Sequence, residues 1–452
     1  MESQQPTAPG APARCPMHTA EFAADPHTAY DKMRAEGPAA PVELAPGVDA
    51  TLVVDYQTAR SVLQNTTDFS KDARHWKALM EGRIAPDSPV VPMMAFRPNA
   101  MFTDGTVHLR LRKAVTDSLD RLNVGRIRRD AEPIAAFLID QFSERGRADL
   151  LNDYAKLLPL LLFNKLFGCP AGIGDRLTTS MSAMFDGRDA LKASEDITAC
   201  LMELIALKRR EPGDDVTSWL IQHPAGLNDE ELKDQLVMMM GAGVEPERNL
   251  IGNALLLLLS GSSSRGAGML PEEAIDHVLW NNSPIANYAT HYPLRDVDLG
   301  GVRVEAGTPL MISFGGANSD PALGAARESL SKGAHLAWGA GPHACPAKSP
   351  ATVISLTAIE AVLNALPDLA LDVSVEELQW RPGPFHRALA TLPVRFTPTP
   401  GTRVAALHTP AQTTPRRRTF TPSHIPATPS PHSDLNKPRK GFWSTFLDIF
   451  RV

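Results

Sequence analysis

The chain contains the segment His335-Leu336-Ala337-Trp338-Gly339-Ala340-Gly341-Pro342-His343-Ala344-Cys345-Pro346-Ala347, and a helical pattern follows it from near Ser349. Gly339 and Gly341 permit backbone angles that a side chain would forbid, so this loop can turn tightly beneath a flat ligand. The following helix places unpaired backbone amides near Cys345, which favours the thiolate form of its side chain. A thiolate held rigidly on a loop is suited to be the axial ligand of a haem iron, although a single cysteine is also often a small core residue.

This loop resembles the haem-binding loop of the cytochrome P450 family, in which an aromatic residue precedes the pattern Gly-x-Gly-x-His/Arg-x-Cys-x-Gly. The matching residues are Trp338, Gly339, Gly341, His343 and Cys345. Ala347 stands where the family usually has glycine, a departure of one methyl group. The resemblance extends over about residues 25–398. It implies haem b between a central helix and the cysteine loop, with Cys345 as the ligand of the iron.

The composition indicates a soluble protein with a substantial core, since 43% of the 452 residues are hydrophobic and 21% are charged. A formal net charge of −6 argues against general nucleic-acid binding. The four cysteines have no metal-ligand spacing and indicate no disulfide framework, which fits a reducing cytoplasm. The N-terminus lacks the basic and apolar regions of a signal peptide, and the longest apolar run, at residues 254–259, is too short to cross a bilayer.

The pattern along the chain predicts a domain that is mainly α with small β-sheets (α+β). Residues 1–24 are rich in Pro, Ala and Gln and are predicted to form a flexible arm. In residues 25–398, an early strand and helix near residues 51–63 are followed from residue 127 by long helical patterns. The resemblance gives this domain the cytochrome P450 fold.

The C-terminal tail has a composition unlike that of the preceding domain. Residues 399–440 are rich in Pro, Thr and Arg and are predicted to form a disordered linker. In residues 441–452 the apolar side chains share one helical face, namely Phe442, Trp443, Phe446, Leu447 and Phe450. Such an amphipathic helix after a basic segment can bind an anionic membrane surface or a groove on a partner protein, or it can pack back on its own domain.

Three cationic candidates for cofactor binding lie outside the cysteine loop. His108 and Arg112 are four residues apart and share one face of a predicted helix, where they can clamp a haem propionate or simply form a solvated surface. The family carries a similar His-x-x-x-Arg pair that contacts the propionates, so the resemblance implies this role for both residues. His291 stands where the family often has a propionate-binding arginine, and a surface histidine is the equal alternative.

A long apolar helix is predicted around the segment Gly241-Ala242-Gly243, although glycine weakens a helix interior. The segment either lets a flat ligand or dioxygen approach the backbone or marks a kinked core helix. It resembles the family's distal motif Ala/Gly-Gly-x-Glu/Asp-Thr, which Ala242, Gly243 and Glu245 match. Pro246 replaces the threonine that takes part in proton delivery and disfavours regular helix at Glu245. We therefore expect Glu245 to act together with water in proton transfer.

A second departure from the family lies at His277 and Trp280, which stand where the family has Glu-x-x-Arg. The neutral pair lacks the charge-assisted bridge but also avoids the cost of desolvating two charges. Stacking of the Trp280 indole on the histidine of this pair, His277, can take the place of that bridge. This departure resembles a small bacterial subgroup of the family in which Glu-x-x-Arg is replaced.

The resemblance implies a haem-thiolate monooxygenase that inserts one oxygen atom from O2 into a small organic substrate. Electrons from NAD(P)H would arrive through a separate ferredoxin and its reductase, because no dinucleotide-binding glycine pattern or flavin segment is evident. Two alternatives stay open: a haem enzyme that uses peroxide, which the loss of an alcohol at Pro246 favours, and a haem-binding signalling or scaffold protein with weak or lost catalysis. We expect a cytoplasmic protein, with peripheral membrane association if the tail binds a membrane.

Overall fold

The computed structural model describes residues 14–185, 190–260, 268–324, 332–400 and 441–450. The first part of the predicted N-terminal arm and nearly all of the predicted linker at residues 399–440 lie outside these ranges. The remainder of the arm is ordered: Cys15–Pro16 is a short strand, and Thr19 caps a helix over Ala20–Ala24 by accepting a hydrogen bond from the Phe22 amide. The predicted start of ordered structure near Asp25 is therefore wrong, because pairing with a distant strand stabilises this segment.

The described part of the chain is mainly helical, as the sequence predicts. Its helices are α1 (Ala20–Ala24), α2 (Pro26–Glu36), α3 (Tyr56–Gln64), α4 (Lys77–Met80), α5 (Val91–Met94), α6 (Gly105–Leu119), α7 (Val124–Asp140), α8 (Leu157–Leu166), α9 (Ala171–Phe185), α10 (Ala190–Arg210), α11 (Val216–Gln222), α12 (Asp229–Leu259), α13 (Pro271–Asn281), α14 (Phe314–Asn318), α15 (Lys348–Ala365) and α16 (Phe442–Phe450). A π-helical segment, Leu150–Ala155, leads into α8.

The strands form three small sheets within the described ranges. They are β1 (Cys15–Pro16), β2 (Ala39–Ala45), β3 (Val48–Val53), β4 (Phe69–Ser70), β5 (Arg147–Asp149), β6 (Asn287–Pro293), β7 (Val297–Leu299), β8 (Val302–Val304), β9 (Leu310–Ser313), β10 (Ala370–Leu371) and β11 (Pro393–Arg395). The largest sheet has the order β1-β2-β3-β9-β6-β4, in which β1 with β2 and β3 with β9 are the parallel pairs. The other two are β10-β11-β5 and the hairpin β7-β8.

The long helix α12 runs through the helical part of the domain and packs against α8, α10, α13 and α15. Its 31 residues span about 46 Å. A capping box begins it, since the Asn228 side chain accepts from the Glu231 amide while the Glu231 carboxylate accepts from the Asn228 amide. Pro246 lies inside this helix without ending it. The predicted loss of regular helix at Glu245 is wrong, because packing on both sides of the proline outweighs its local preference.

The largest apolar core lies among the helices, and a second core lies against the large sheet around Tyr30 and Trp76. Trp443 and Phe446 of α16 belong to the main core, where α16 packs against α9. Of the alternatives for the tail, this structure therefore contains the one in which the helix packs on its own domain.

No described helix combines the length and the apolar character needed to cross a membrane.

Candidate active site

The cysteine loop makes two tight turns before α15 begins at Lys348. Gly339 and Gly341 both have a φ of 69°, which favours glycine. A Cβ atom at Gly341 would also lie 3.1 Å from the carbonyl carbon of Leu63, so α3 packs too closely for a side chain there. The Cys345 amide donates to the Trp338 carbonyl at 2.7 Å and closes the loop. The prediction that Gly339 and Gly341 adopt backbone angles unfavourable for other residues is therefore confirmed.

The thiol of Cys345 can be reached from solvent although protein surrounds most of it. Desolvation by this protein raises the pKa of the thiol above its ordinary value. The Ala347 amide and the nearby Arg112 guanidinium oppose that rise. The predicted effect of the backbone amides on the thiolate thus has the correct sign, but desolvation is the larger effect in this structure.

Basic side chains gather beside the cysteine loop. Arg112 of α6 donates to the Ala344 carbonyl, next to Cys345. The imidazole of His108 stacks on that of His343, with ring centroids 4.0 Å apart and an angle of 30° between the planes. His343 Nε2 lies 3.5 Å from Asp104 Oδ1. The structure therefore brings together three predicted cofactor-binding residues from two elements that are more than 230 positions apart in the chain.

His108 is 3% exposed, and its Nε2 atom is buried without a hydrogen-bond partner. Burial, together with the charges of His343 and Arg112, lowers the pKa of His108 to about 4. Desolvation opposes ionisation of Asp104, but hydrogen bonds from His343, Ser70 and the Lys71 amide hold the pKa of Asp104 well below its usual range. A buried ring nitrogen without a partner is costly, so this position suits a ligand that supplies one.

His291 is buried, 4% exposed, rather than lying on the surface. Its Nδ1 atom lies 2.5 Å from the Ala289 carbonyl. Ala289 has a φ of 49°, and the pairing of β6 with β9 shifts register between Tyr288 and His291. A bulge of this kind re-aims the side chains beside it, which is how β6 presents His291 inward.

The sequence analysis missed Lys71, which is also buried here. Its amine donates to the Thr290 carbonyl at 2.6 Å, on the bulged part of β6. Burial lowers the pKa of Lys71 to about 7, and Asp104 opposes the shift. A single lysine after a short strand gave no signal, because its burial depends on a strand 219 residues further along the chain.

The predicted distal residues lie on different faces of α12. Ala242 is exposed in the middle of α12, and Pro246, one turn later, is half-buried. A Cβ atom at Gly243 would lie 3.0 Å from Cε2 of Phe163, so this glycine allows α8 to pack closely. The expected room for a ligand at Gly243 is therefore filled by Phe163, whereas a Cβ atom at Gly241 would meet no atom within 4 Å.

Glu245 is 2% exposed and forms part of a charged network inside the domain. Its carboxylate pairs with Arg248 at 3.4 Å and with Arg381. The Asn249 side-chain amide also donates to it at 3.4 Å. Two guanidinium groups compensate the cost of burying this carboxylate and hold it in place. The structure does not place Glu245 on the exposed side of α12 with Ala242.

The indole of Trp280 meets the imidazole of His335 edge to face, with ring centroids 5.6 Å apart and an angle of 87°. A histidine–indole contact therefore joins α13 to the start of the cysteine loop, but its histidine is His335 and its geometry is edge to face, whereas the sequence suggested stacking within the His277–Trp280 pair. Asn318 of α14 supports the same junction, since its side-chain oxygen Oδ1 accepts a hydrogen bond from the Leu336 amide at 2.7 Å.

A helix-rich domain that presents one accessible thiol on a glycine loop, beside buried basic side chains, has the features of haem-thiolate proteins. No protein-family model matches the chain. The cytochrome P450 monooxygenase PikC of Streptomyces venezuelae is 32% identical over 398 residues, covering 83% of this chain and 92% of that protein. The 2-hydroxy-5-methyl-1-naphthoate 7-hydroxylase of Streptomyces carzinostaticus is 30% identical over 405 residues, covering 84% and 98%. This chain belongs to the cytochrome P450 family.

Solved structures confirm the predicted fold. CYP154C4 from Streptomyces sp. ATCC 11861 has a TM-score of 0.74 at 26% identity and covers 85% of this chain and 98% of its own. The myxobacterial CYP267B1, in complex with myristic acid, has a TM-score of 0.74 at 25% identity and covers 84% and 98%. Since the named relatives are monooxygenases and hydroxylases, the chain is an oxidoreductase of this family.

The family implies a haem cofactor, and the residues present fit one. A haem needs a soft axial ligand and cations for its two carboxylates. Cys345 is an accessible thiol, and the buried Nε2 atom of His108 lacks a partner. Arg112, His343 and Lys71 add further basic groups around Asp104.

Proposed function

We propose that the chain is a haem-thiolate monooxygenase that inserts one oxygen atom from O2 into a small organic substrate. Electrons would come from NAD(P)H through a separate ferredoxin and its reductase, and the protein would act in the cytoplasm. The observation that carries the proposal is the accessible Cys345 thiol beside the buried, unpartnered Nε2 atom of His108. The names of the relatives support the reaction class.

The proposed cofactor contacts come from four segments of the chain. Cys345 would be the iron ligand, while Trp338, Gly339 and Ala347 shape the loop that carries it. The basic residues His108, Arg112, His291 and His343, with Lys71 as an addition, would face the haem carboxylates. When bound, the haem supplies the oxygen-activating chemistry, and a thiolate ligand favours cleavage of the O–O bond.

The proton-handling residues would lie along α12. Pro246 has no amide hydrogen, so the Ala242 carbonyl lacks the backbone donor that it would otherwise find four residues later. Because Ala242 is exposed, that carbonyl can hold a water molecule on the open side of the helix. Glu245 would contribute indirectly, since its buried network with Arg248 and Arg381 positions this turn of α12. This role replaces direct proton transfer by Glu245.

A peroxide-using haem enzyme is the second candidate, and Pro246 is the observation that favours it. Without an alcohol at this position, the chain lacks one group that could assist proton delivery to bound dioxygen. Peroxide already carries protons and electrons that a monooxygenase must otherwise deliver. The scaffold alternative loses support because two aromatic side chains of its expected binding segment, Trp443 and Phe446 of α16, are buried against the chain itself.

The test is the ferrous–carbon monoxide difference spectrum of the purified protein, followed by turnover with O2 and with peroxide. We expect a red-shifted Soret band that Cys345→Ala abolishes and that the matched control Cys15→Ala retains. Product formation with O2 and a ferredoxin system supports the monooxygenase, whereas product formation with peroxide alone supports the second candidate. A spectrum typical of histidine ligation, or a band unchanged in Cys345→Ala, contradicts the proposed site.

A further inference from the structure

The C-terminal helix α16 inserts two aromatic rings into the domain. Trp443 and Phe446 are 2% and 1% exposed. Their rings stack with centroids 5.4 Å apart and an angle of 14° between the planes. Phe446 also meets Phe137 of α7 edge to face at 5.7 Å. Large aromatic side chains contribute strongly to packing when they are buried this completely, so the contact is more than a loose surface association.

The polar groups of α16 are matched as well. The indole N–H of Trp443 donates to the Cys169 carbonyl at 3.0 Å, in the turn between α8 and α9. Asp175 of α9 accepts from the backbone amides of Trp443 and Ser444 at 2.9 and 3.2 Å, and from the Ser444 hydroxyl. One carboxylate of α9 therefore satisfies amides in the first turn of α16, which have no partner within their own helix.

Gly174 shows that α9 is shaped for this indole. It lies inside α9, where glycine weakens the helix. A Cβ atom at Gly174 would overlap the ring of Trp443. Glycine at position 174 does not stabilise α9 itself. The close approach of α16, which leaves no space for a side chain there, explains it.

We propose that α16 is an intramolecular clamp whose binding site is the surface formed by Phe137, the α8–α9 turn and the Gly174-Asp175 step of α9. The clamp ties the N-terminal half of α9 to α7. Because α9 packs on α10, and α10 packs on α12, the clamp is linked through these helices to α12, which carries Ala242, Gly243 and Glu245. The Trp443 and Phe446 side chains are then unavailable to a membrane or a partner protein while the helix is bound. This inference does not depend on the proposed function.

The experiment is amide hydrogen exchange on the full-length protein with a pair of glycine substitutions in α9. Gly174→Ala favours the helix locally but blocks the indole, so we expect exchange in residues 171–178 and 441–450 to accelerate by at least about tenfold. Gly172→Ala is the matched control, because a Cβ atom at this exposed glycine of the same helix meets no atom within 4 Å. It should leave exchange unchanged or slow it.

Trp443→Ala attacks the same contact from the tail and should accelerate exchange in residues 171–178 to the same extent. The double variant Gly174→Ala/Trp443→Ala should show no further acceleration, because both changes remove one interaction. The proposal is overturned if Gly174→Ala behaves like Gly172→Ala, or if Trp443→Ala leaves α9 unchanged.

Two further measurements test whether α16 binds instead to a second copy of the chain or to a membrane. Protection of residues 441–450 should be independent of protein concentration, and a loss of protection on dilution would assign the helix to a second copy of the chain. Wild-type protein should not sediment with vesicles that contain phosphatidylserine. The helix would instead be assigned to the membrane surface by two results together. The wild type would sediment with the vesicles while Trp443→Ala does not, and amide exchange in α9 would be equally fast in the wild type and in Trp443→Ala.

Discussion

Glu247 of α12 offers a quantitative test of how the two helices around the proposed haem site are joined. Its carboxyl group is 5% exposed and accepts a hydrogen bond from the hydroxyl of Ser355, a fully buried residue of α15. Desolvation raises the pKa of Glu247 from 4.5 to about 8, although the hydrogen bonds from Ser355 oppose the rise. The Cys345 thiol is close enough to interact with the charge of this carboxylate.

The direction of the pH effect follows from the raised pKa. Below about pH 4.5 the carboxyl group is protonated in both the folded and the unfolded chain, so its ionisation does not lower the free energy of unfolding. Between pH 4.5 and about pH 8 the folded chain keeps a proton that the unfolded chain loses, and the free energy of unfolding falls as the pH rises. At about 1.4 kcal/mol per pKa unit, the loss reaches at most about 5 kcal/mol.

Glu247→Gln removes this titration and keeps an oxygen that can accept from Ser355. We expect the free energy of unfolding of the variant to lie within about 1 kcal/mol of the wild-type value near pH 5 and to exceed it by up to about 5 kcal/mol near pH 9. Denaturant unfolding of the haem-loaded proteins from pH 5 to pH 9 measures the difference. Glu230→Gln, at an exposed position of the same helix, is the control and should follow the wild type. Parallel pH curves for wild type and Glu247→Gln would refute the argument.

Two further predictions concern the cofactor site. Gly341→Ala places a methyl group against Leu63 at a φ of 69°, so it should cost about 1–3 kcal/mol of stability and abolish haem binding, as judged by the Soret absorbance. Gly82→Ala, at a similar φ of 71° with open space around it, should retain haem, and equal losses in both variants would contradict the packing argument. Lys71→Met should speed haem transfer to apomyoglobin about tenfold, because it removes one cation from the group of basic residues proposed to face the haem carboxylates. The exposed Lys77→Met should not change the transfer rate, and an unchanged rate in Lys71→Met would exclude the proposed contact.

The structure differs from the sequence-based expectations mainly where distant segments meet. The sequence predicted a loss of regular helix at Glu245, before Pro246, but α12 is continuous there because neighbouring helices pack against both of its halves. It also assigned ligand space to Gly243, whereas Phe163 of α8 occupies that space. Periodicity can show that a glycine is unusual in a helix, but it cannot show which neighbour requires it.

The sequence by itself determined the cysteine loop, the helical character of the domain and the pairing of His108 with Arg112 on one helix face. These features depend on spacing within a few residues, where backbone geometry and side-chain size decide the outcome. Only the tertiary structure decided that Lys71 joins the basic cluster and that the indole of Trp443 lies on Gly174. Each contact joins segments more than 200 residues apart, and its stability comes from burial that no local pattern records.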